Sequence, residues 1–201
     1  MREYPSVLKE IQYGEYIYAF DKLDGSQIRA EWDSKKGFHK FGSRKQLIDK
    51  THLFLSESID LINEKYDEIR LSCKRMKTSS AICFFEFFGN NSFAGQHVDE
   101  PHRVILFDIV IGNKSGFLEP REFIKYFSNV GIPKMLYHDI CNFEFVDSVK
   151  NSTLDDMTFE GVMCKYTKKK SVAMFKIKSE AWLLKLHNYC GDNISLFKEL
   201  E

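Results

Sequence analysis

Five apolar stretches of this chain are of strand length, and each carries a charged residue where burial is costly. In "YAFDKLDGSQIRAEW", residues 18–32, the alternation that begins at Tyr16 puts Tyr18, Phe20 and Lys22 on one face. "ICFFEFFG" sets Glu86 on a face with Ile82, Phe84 and Phe88. "ILFDI" holds Asp108 between Phe107 and Ile109, and "FEGVM" opens with Glu160 at the head of a strand. "MFKIKS" then places Lys176 and Lys178 on one face of the following strand. Singly, each charge has an ordinary explanation: a solvated strand end, an edge residue or a salt-bridge partner. Together, three lysines and three acids on apolar strands suit one cleft that binds a polyanion and a metal ion.

The elements around these strands are mixed. Asp24-Gly25, lying between the runs 16–20 and 27–32, is a hairpin signal. "GFHKFGSRK" reads as loop or short strand. Ile59, Ile62, Tyr66, Ile69, Cys73 and Met76 recur at gaps of three and four, which predicts one amphipathic helix from Ser56 onward. Pro120 and Gly131 bracket a short helix, "NFEFVDSVKN" forms another, and Ser179 caps a C-terminal one that Gly191 stops. "FEGVMCKYTKKKSVAMFKIK" predicts a hairpin with the Lys168-Lys169-Lys170 run as its solvated turn. No regular βαβ rhythm appears, so the expected class is α+β, with antiparallel sheets flanked by helices.

Composition narrows the function classes. At 201 residues with 43% hydrophobic content and 18 Phe, the chain supports a sizeable core. The 29 basic and 29 acidic residues cancel, which excludes a polycation that binds nucleic acid by bulk attraction and leaves room for a local basic cleft. Five scattered cysteines without a C-x-x-C pair suit reduced thiols. No apolar run resembles a signal peptide or reaches membrane-spanning length. The expected location is the cytoplasm (that of the host, for a phage-encoded protein), with no membrane partner.

The charged strands resemble the ordered motifs of the covalent nucleotidyltransferases, the superfamily of ATP-dependent DNA and RNA ligases and messenger-RNA capping enzymes. Lys22-Leu23-Asp24-Gly25 matches K-x-D-G, and "FFEFFG" matches the strand with an embedded Glu. "LFD" matches the aromatic–Asp pair, Glu160-Gly161 the E-G strand, and Lys176-Ile177-Lys178 the K-x-K motif. All five stand in the expected order between residues 22 and 178. Within the superfamily the chain most resembles the phage-type nick-sealing RNA ligases: Gln27 stands where DNA ligases and capping enzymes usually have Arg, and no R-x-D-K motif follows. "FHKFGSRK" resembles the RNA-ligase segment that supplies an arginine, here Arg44.

The resemblance implies the adenylation-domain fold over residues 1–201 with no OB or other C-terminal domain, since only 23 residues follow Lys178. A partner protein replacing that domain is the corresponding expectation. The implied activity uses ATP and Mg²⁺ (or Mn²⁺) to join an RNA 5′-phosphate to a 3′-hydroxyl. Lys22 would attack the α-phosphate, with Lys176 and Lys178 holding that phosphate. Glu160 would bind the metal, and Asp24, beside Gly25, would orient Lys22 or a metal-bound water. Glu86 would contact the ribose, Phe107 would stack on adenine with Asp108 in support, and Arg29 and Arg44 would contact phosphate or strand. Apolar neighbours and nearby positive charge are expected to lower the pKa of Lys22. A DNA ligase, a capping-type enzyme and a non-catalytic nucleotide- or RNA-end-binding module are the alternatives. His97, Asp99, Glu100 and His102 fit no helix face, and a loop histidine or RNA contact is preferred there to a metal site.

Overall fold

The Asp24-Gly25 turn does not close a hairpin. The structure, a computed structural model, describes residues 1–90, 99–112 and 116–201; His97 lies outside them. Strand β1 (Tyr16–Asp21) ends in one sheet, and β2 (Ser26–Asp33) begins in another. The turn between them carries the chain from sheet to sheet. Gly25 is needed there because a Cβ would come within 2.4 Å of the Phe87 carbonyl oxygen. A hairpin signal acts locally, whereas both strands find longer antiparallel partners elsewhere in the chain.

The β2 sheet is built next. Strand β3 (Gly37–Gly42) pairs with β2, the two-residue β4 (Leu47–Ile48) with β3, β5 (Ser80–Phe88) with β2, and β6 (Arg103–Ile111) with β5. Its core face carries Ile28, Ala30, Trp32, Cys83, Phe85, Phe87, Leu106 and Ile109. Helices α1 (Ser56–Glu64), α2 (Tyr66–Arg75) and α3 (Pro120–Phe127) cover that face through Ile59, Ile62, Ile69, Cys73, Phe123 and Phe127. The single helix expected from Ser56 is thus two, interrupted at Lys65, whose N–H bonds back to Ile62 O at 3.0 Å. A tight 3₁₀ turn, Ser128–Val130, extends α3 to Gly131 at φ +89°.

The β1 sheet has the order β7-β1-β8-β9, with β7 (Met135–Ile140), β8 (Gly161–Lys168) and β9 (Ser171–Lys178). Strand β7 had no clear sequence signal; it is an edge strand with mostly exposed side chains, so it lacks strict apolar alternation. The β8–β9 hairpin forms as expected, turning through Lys169 and Lys170 at φ +48° and +66°. One face of this sheet (Ile17, Ala19, Val162, Cys164, Tyr166, Phe175 and Ile177) packs on α4 (Phe143–Lys150). Its other face carries three rows set by register: Tyr18–Lys165–Met174, Phe20–Met163–Lys176, and the ends of β8 and β9 beside Lys22. Helices α5 (Glu180–Cys190) and α6 (Ile194–Leu200) close the chain, with Ser179 capping α5 as its Oγ accepts the Trp182 N–H at 3.1 Å. Among the described residues, no helix is long and apolar enough to cross a membrane, and all five cysteines are free and buried.

Candidate active site between the two sheets

Register brings Lys22, Glu160 and Lys178 together. The Lys22 backbone N–H donates to Gly161 O at 2.9 Å, and Gly161 faces Lys178 across the β8–β9 pair. That approach requires glycine: Gly161 sits at φ +129°, and a Cβ there would lie 2.1 Å from Ile177 O. The two glycines of the K-x-D-G and E-G motifs are therefore places where backbones crowd. The side chains then converge. Lys22 Nζ donates to Glu160 Oε2 at 2.8 Å, and Lys178 Nζ donates to Glu160 Oε1. Lys178 also stands over the Trp182 ring, its Nζ 3.6 Å from the centroid.

Two ammonium groups, one buried and one half-buried, thus share one carboxylate, with a third close by. Lys176 donates to the main-chain oxygen of Glu201. Burial pushes Lys178 down to about 8, helped by the charge on Lys22 and opposed by Glu160; Lys176 is lowered by burial and by Lys22. Lys22 departs from expectation. Burial alone would lower it, but Glu160, Glu86 and Asp24 outweigh burial and hold it above its ordinary value. Glu160 is held below the usual carboxylate range, because Lys22 and Lys178 overcome its burial.

The facing sheet supplies carboxylate and aromatic groups. Glu86, half-buried on β5, is raised to about 8 by burial, with the charges on Glu160 and Asp24 adding to that rise and Lys22 opposing it; the Gly25 backbone N–H donates to it. Phe107 and Asp108 are neighbours in sequence, so a regular strand would point them to opposite faces. A β-bulge changes this: Phe84 and Phe85 on β5 face Asp108 and Leu106 on β6, leaving Phe107 as the extra residue. Leu106 stays in the core, while both Phe107 and Asp108 reach the side where Phe84 lies.

Arg29 lies on that sheet, 4% exposed, with the Met1 carbonyl oxygen at 3.5 Å and the Glu3 carboxylate at 3.6 Å. Arg44 is exposed in the turn after β3, without contact to the lysine cluster among the described residues. His102 accepts or donates to Glu57 at 2.6 Å. Sequence reasoning missed three residues around the site: Trp182, Tyr4 and Lys165. Of these only Lys165 carried a usable signal, since alternation from Gly161 through Met163 places it on the face opposite Val162, Cys164 and Tyr166.

Among the described residues no group of three or more His, Cys, Asp or Glu side chains is placed to hold a metal. The oxygen donors present, Glu160 with Glu86 and Asp24 nearby, fit a hard divalent cation that takes only one or two carboxylates and draws its other ligands from water or a bound anion.

No family model and no curated protein matches this chain. Solved structures do. An RNA ligase variant of Naegleria gruberi without ligand matches with a TM-score of 0.66 at 17% identity, over 91% of this chain and 59% of that one. A variant of the same ligase with ATP and Mn matches with a TM-score of 0.66 at 16% identity over the same shares. The ligase with PPi matches with a TM-score of 0.64 at 15% identity, again over 91% and 59%. The chain spans about 59% of the length of these structures. Its fold is theirs, the α+β nucleotidyltransferase fold of antiparallel sheets flanked by helices.

Proposed function

We propose that residues 1–201 form the adenylation unit of an ATP-dependent RNA ligase, with Lys22 as the nucleophile. The observation that carries this reading is the sharing of one buried carboxylate, Glu160, by Lys22 and Lys178 with Lys176 beside them. A structural ion pair needs one cation per anion. Here two ammonium groups crowd one carboxylate with a third lysine beside them, close to the Glu86 carboxyl of the facing sheet, an arrangement suited to receiving a polyanion. The RNA ligase structures of the same fold include complexes with ATP and Mn, with AMP and Mn, and with PPi.

In this reading Lys22 Nζ attacks the α-phosphorus of ATP. A nitrogen–phosphorus bond forms, the bond from that phosphorus to the bridging oxygen breaks, and pyrophosphate leaves with the electron pair. Lys178 and Lys176 hold the phosphate and offset its developing charge. Phe107 is the stacking surface for adenine, with Asp108 behind it, Glu86 meets the ribose, and Asp24 orients Lys22. Arg29 and Arg44 are assigned to phosphate or strand contacts. An oxygen of an RNA 5′-phosphate then attacks the lysyl-AMP phosphorus and Lys22 leaves, regaining its proton. A 3′-hydroxyl attack on the activated 5′-phosphate joins the strands and releases AMP. A divalent cation, Mg²⁺ or Mn²⁺, held by Glu160 and the nucleotide would neutralise phosphate charge. Glu160 holds Lys22 protonated at neutral pH, so that proton must leave within the nucleotide complex.

The test is incubation with α-labelled ATP and Mg²⁺, followed by a denaturing gel. Acid-labile label on the parent and none on Lys22→Ala supports the reading; normal labelling of Lys22→Ala ends it. Label from GTP instead of ATP would indicate a capping-type enzyme, and sealing of nicked DNA in preference to nicked RNA would indicate a DNA ligase. Sealing tried with and without candidate protein partners asks whether further surface is needed for the later steps.

A further inference from the structure

Strand β8 carries a second lysine that reaches across to the other sheet. Lys165, its side chain 3% exposed, pairs with Asp108 at 3.0 Å, the Asp108 side chain being 1% exposed. The same ammonium donates to the Phe107 carbonyl oxygen at 2.7 Å and stands 5.4 Å and 5.1 Å from the ring centroids of Phe20 and Phe123. Tyr4 completes the arrangement. Its hydroxyl donates to Asp108 Oδ2 at 2.9 Å, and its ring meets Phe84, Phe107 and Phe117 edge-on at 5.2, 5.1 and 5.1 Å.

These contacts sit on the bulge. A bulged residue drops out of the ladder, so its carbonyl needs another partner, and Lys165 provides one to Phe107. Without the bulge, Phe107 or Asp108 would turn toward the core, where Leu106 and Ile109 already lie. Lys165 also lies on the strand that Glu160 immediately precedes, and it contacts Phe20, two residues before Lys22. One side chain therefore touches both the strand leading to the proposed nucleophile and the backbone of the proposed base-stacking residue. A buried ion pair is seldom more stabilising than apolar packing of the same volume, so its use here fits a geometric role.

We propose that Lys165 and Tyr4 are positioning residues that hold Phe107 against the purine base and fix the separation of the two sheets. This rests on the reading of the cleft as an ATP site. They act through Phe107 and Asp108 rather than by touching the phosphates, so they govern ATP affinity more than the rate of phosphoryl attack.

The experiment is single-turnover labelling of the whole chain with α-labelled ATP across a concentration series, on the parent, Lys165→Met, Lys165→Arg and Tyr4→Phe, with circular dichroism confirming the fold of each. The expected result is a rise in the ATP concentration for half-maximal labelling of about tenfold in Lys165→Met, the size of one lost hydrogen bond to a charged group. Tyr4→Phe shows a smaller rise of about threefold, Lys165→Arg recovers part of the loss, and the rate at saturating ATP changes little in all three. A folded Lys165→Met with the parent's ATP dependence, or an equal loss of saturating rate in every variant, overturns the proposal. Should Lys165→Met fail to fold, Tyr4→Phe decides, since it removes one hydroxyl and keeps the ring: an unchanged ATP dependence overturns it. Failure of the parent to label shows in the parent alone and overturns the ATP-site reading and this inference together.

Discussion

Strand β8 serves two buried lysine–carboxylate clusters, and they differ in charge balance and access. At its head, Glu160 takes both Lys22 and Lys178, and the Lys22 side chain keeps 23% of its surface exposed. Five residues on, Lys165 takes one partner, Asp108, and both are sealed. The second cluster is neutral and saturated: carboxylate, ammonium, tyrosine hydroxyl and backbone carbonyl satisfy one another. The first sets two ammonium groups on one carboxylate and keeps an opening at Lys22. A balanced buried pair fixes geometry, whereas an unbalanced, half-open one can receive an anion.

The largest effects should separate the clusters by kind. Lys178→Met removes a charge that burial already disfavours, so the fold should hold or gain slightly, with an unchanged or raised melting temperature. Labelling from ATP should nevertheless fall by about 10²–10³-fold, the scale of losing one preorganised charge at a transition state. Equal losses of fold and labelling would erase the distinction.

The sealed cluster should respond in the opposite way. Asp108→Leu strands the Lys165 ammonium in the interior and should destabilise the protein by about 3–5 kcal/mol, whereas Asp108→Leu combined with Lys165→Met should recover most of that. Urea denaturation of the parent, both single variants and the double variant measures the coupling. Additive losses would mean that the pair is not the unit described.

How much of this was legible in the sequence follows the same division. The open cluster could be read because its members stand in motifs, and because period-2 alternation placed Lys22, Lys176 and Lys178 on the right faces. The sealed one is legible only at Phe107 and Asp108, because Tyr4 and Asp108 lie 104 positions apart and the bulge at Phe107 leaves no local signature. The Asp24-Gly25 hairpin failed for a related reason: β1 finds its partners among residues 135–140 and 161–168, and no turn rule sees that far. The pKa of Lys22 moves against the sequence-based expectation because the sequence shows which charges exist and leaves open which lie nearest. Glu160, Glu86 and Asp24 proved closer in effect than the other lysines.

A pH series sharpens the comparison further. Glu86 keeps its proton in the folded protein up to about 8, while in the unfolded chain it ionises near 4.5. Between those values the folded state binds the extra proton, so this residue makes stability fall as pH rises. Glu160 has the opposite sign: its contribution is present above the unfolded value and is lost as pH falls through its lowered folded pKa. Glu86→Gln should therefore flatten the decline in stability between pH 5 and pH 8 without altering the loss at lower pH. Chemical denaturation at pH 5, 6.5 and 8 tests this, and an unchanged slope in Glu86→Gln would assign the decline to another group.

The smallest expected effect concerns how the open cluster is held. Ser179 follows Lys178 directly; its Oγ accepts the Trp182 N–H and donates to Phe159 O at 2.6 Å, and its own N–H donates to Glu160 O at 3.0 Å. One residue thus joins the end of β9, the start of α5 and the backbone of Glu160, and it sets the Trp182 ring beneath Lys178. Ser179→Ala removes the cap and should cost about 1 kcal/mol of stability. Because the Ser179 backbone N–H still ties to Glu160 O, Lys178 should stay near its place, and saturating labelling should drop only about twofold to fivefold, a fraction of a hydrogen bond's worth. A loss as large as that of Lys178→Met would show that the helix cap, and not the strand register, aligns the lysine. A melting temperature equal to the parent's would show that the Trp182 packing alone suffices to start α5.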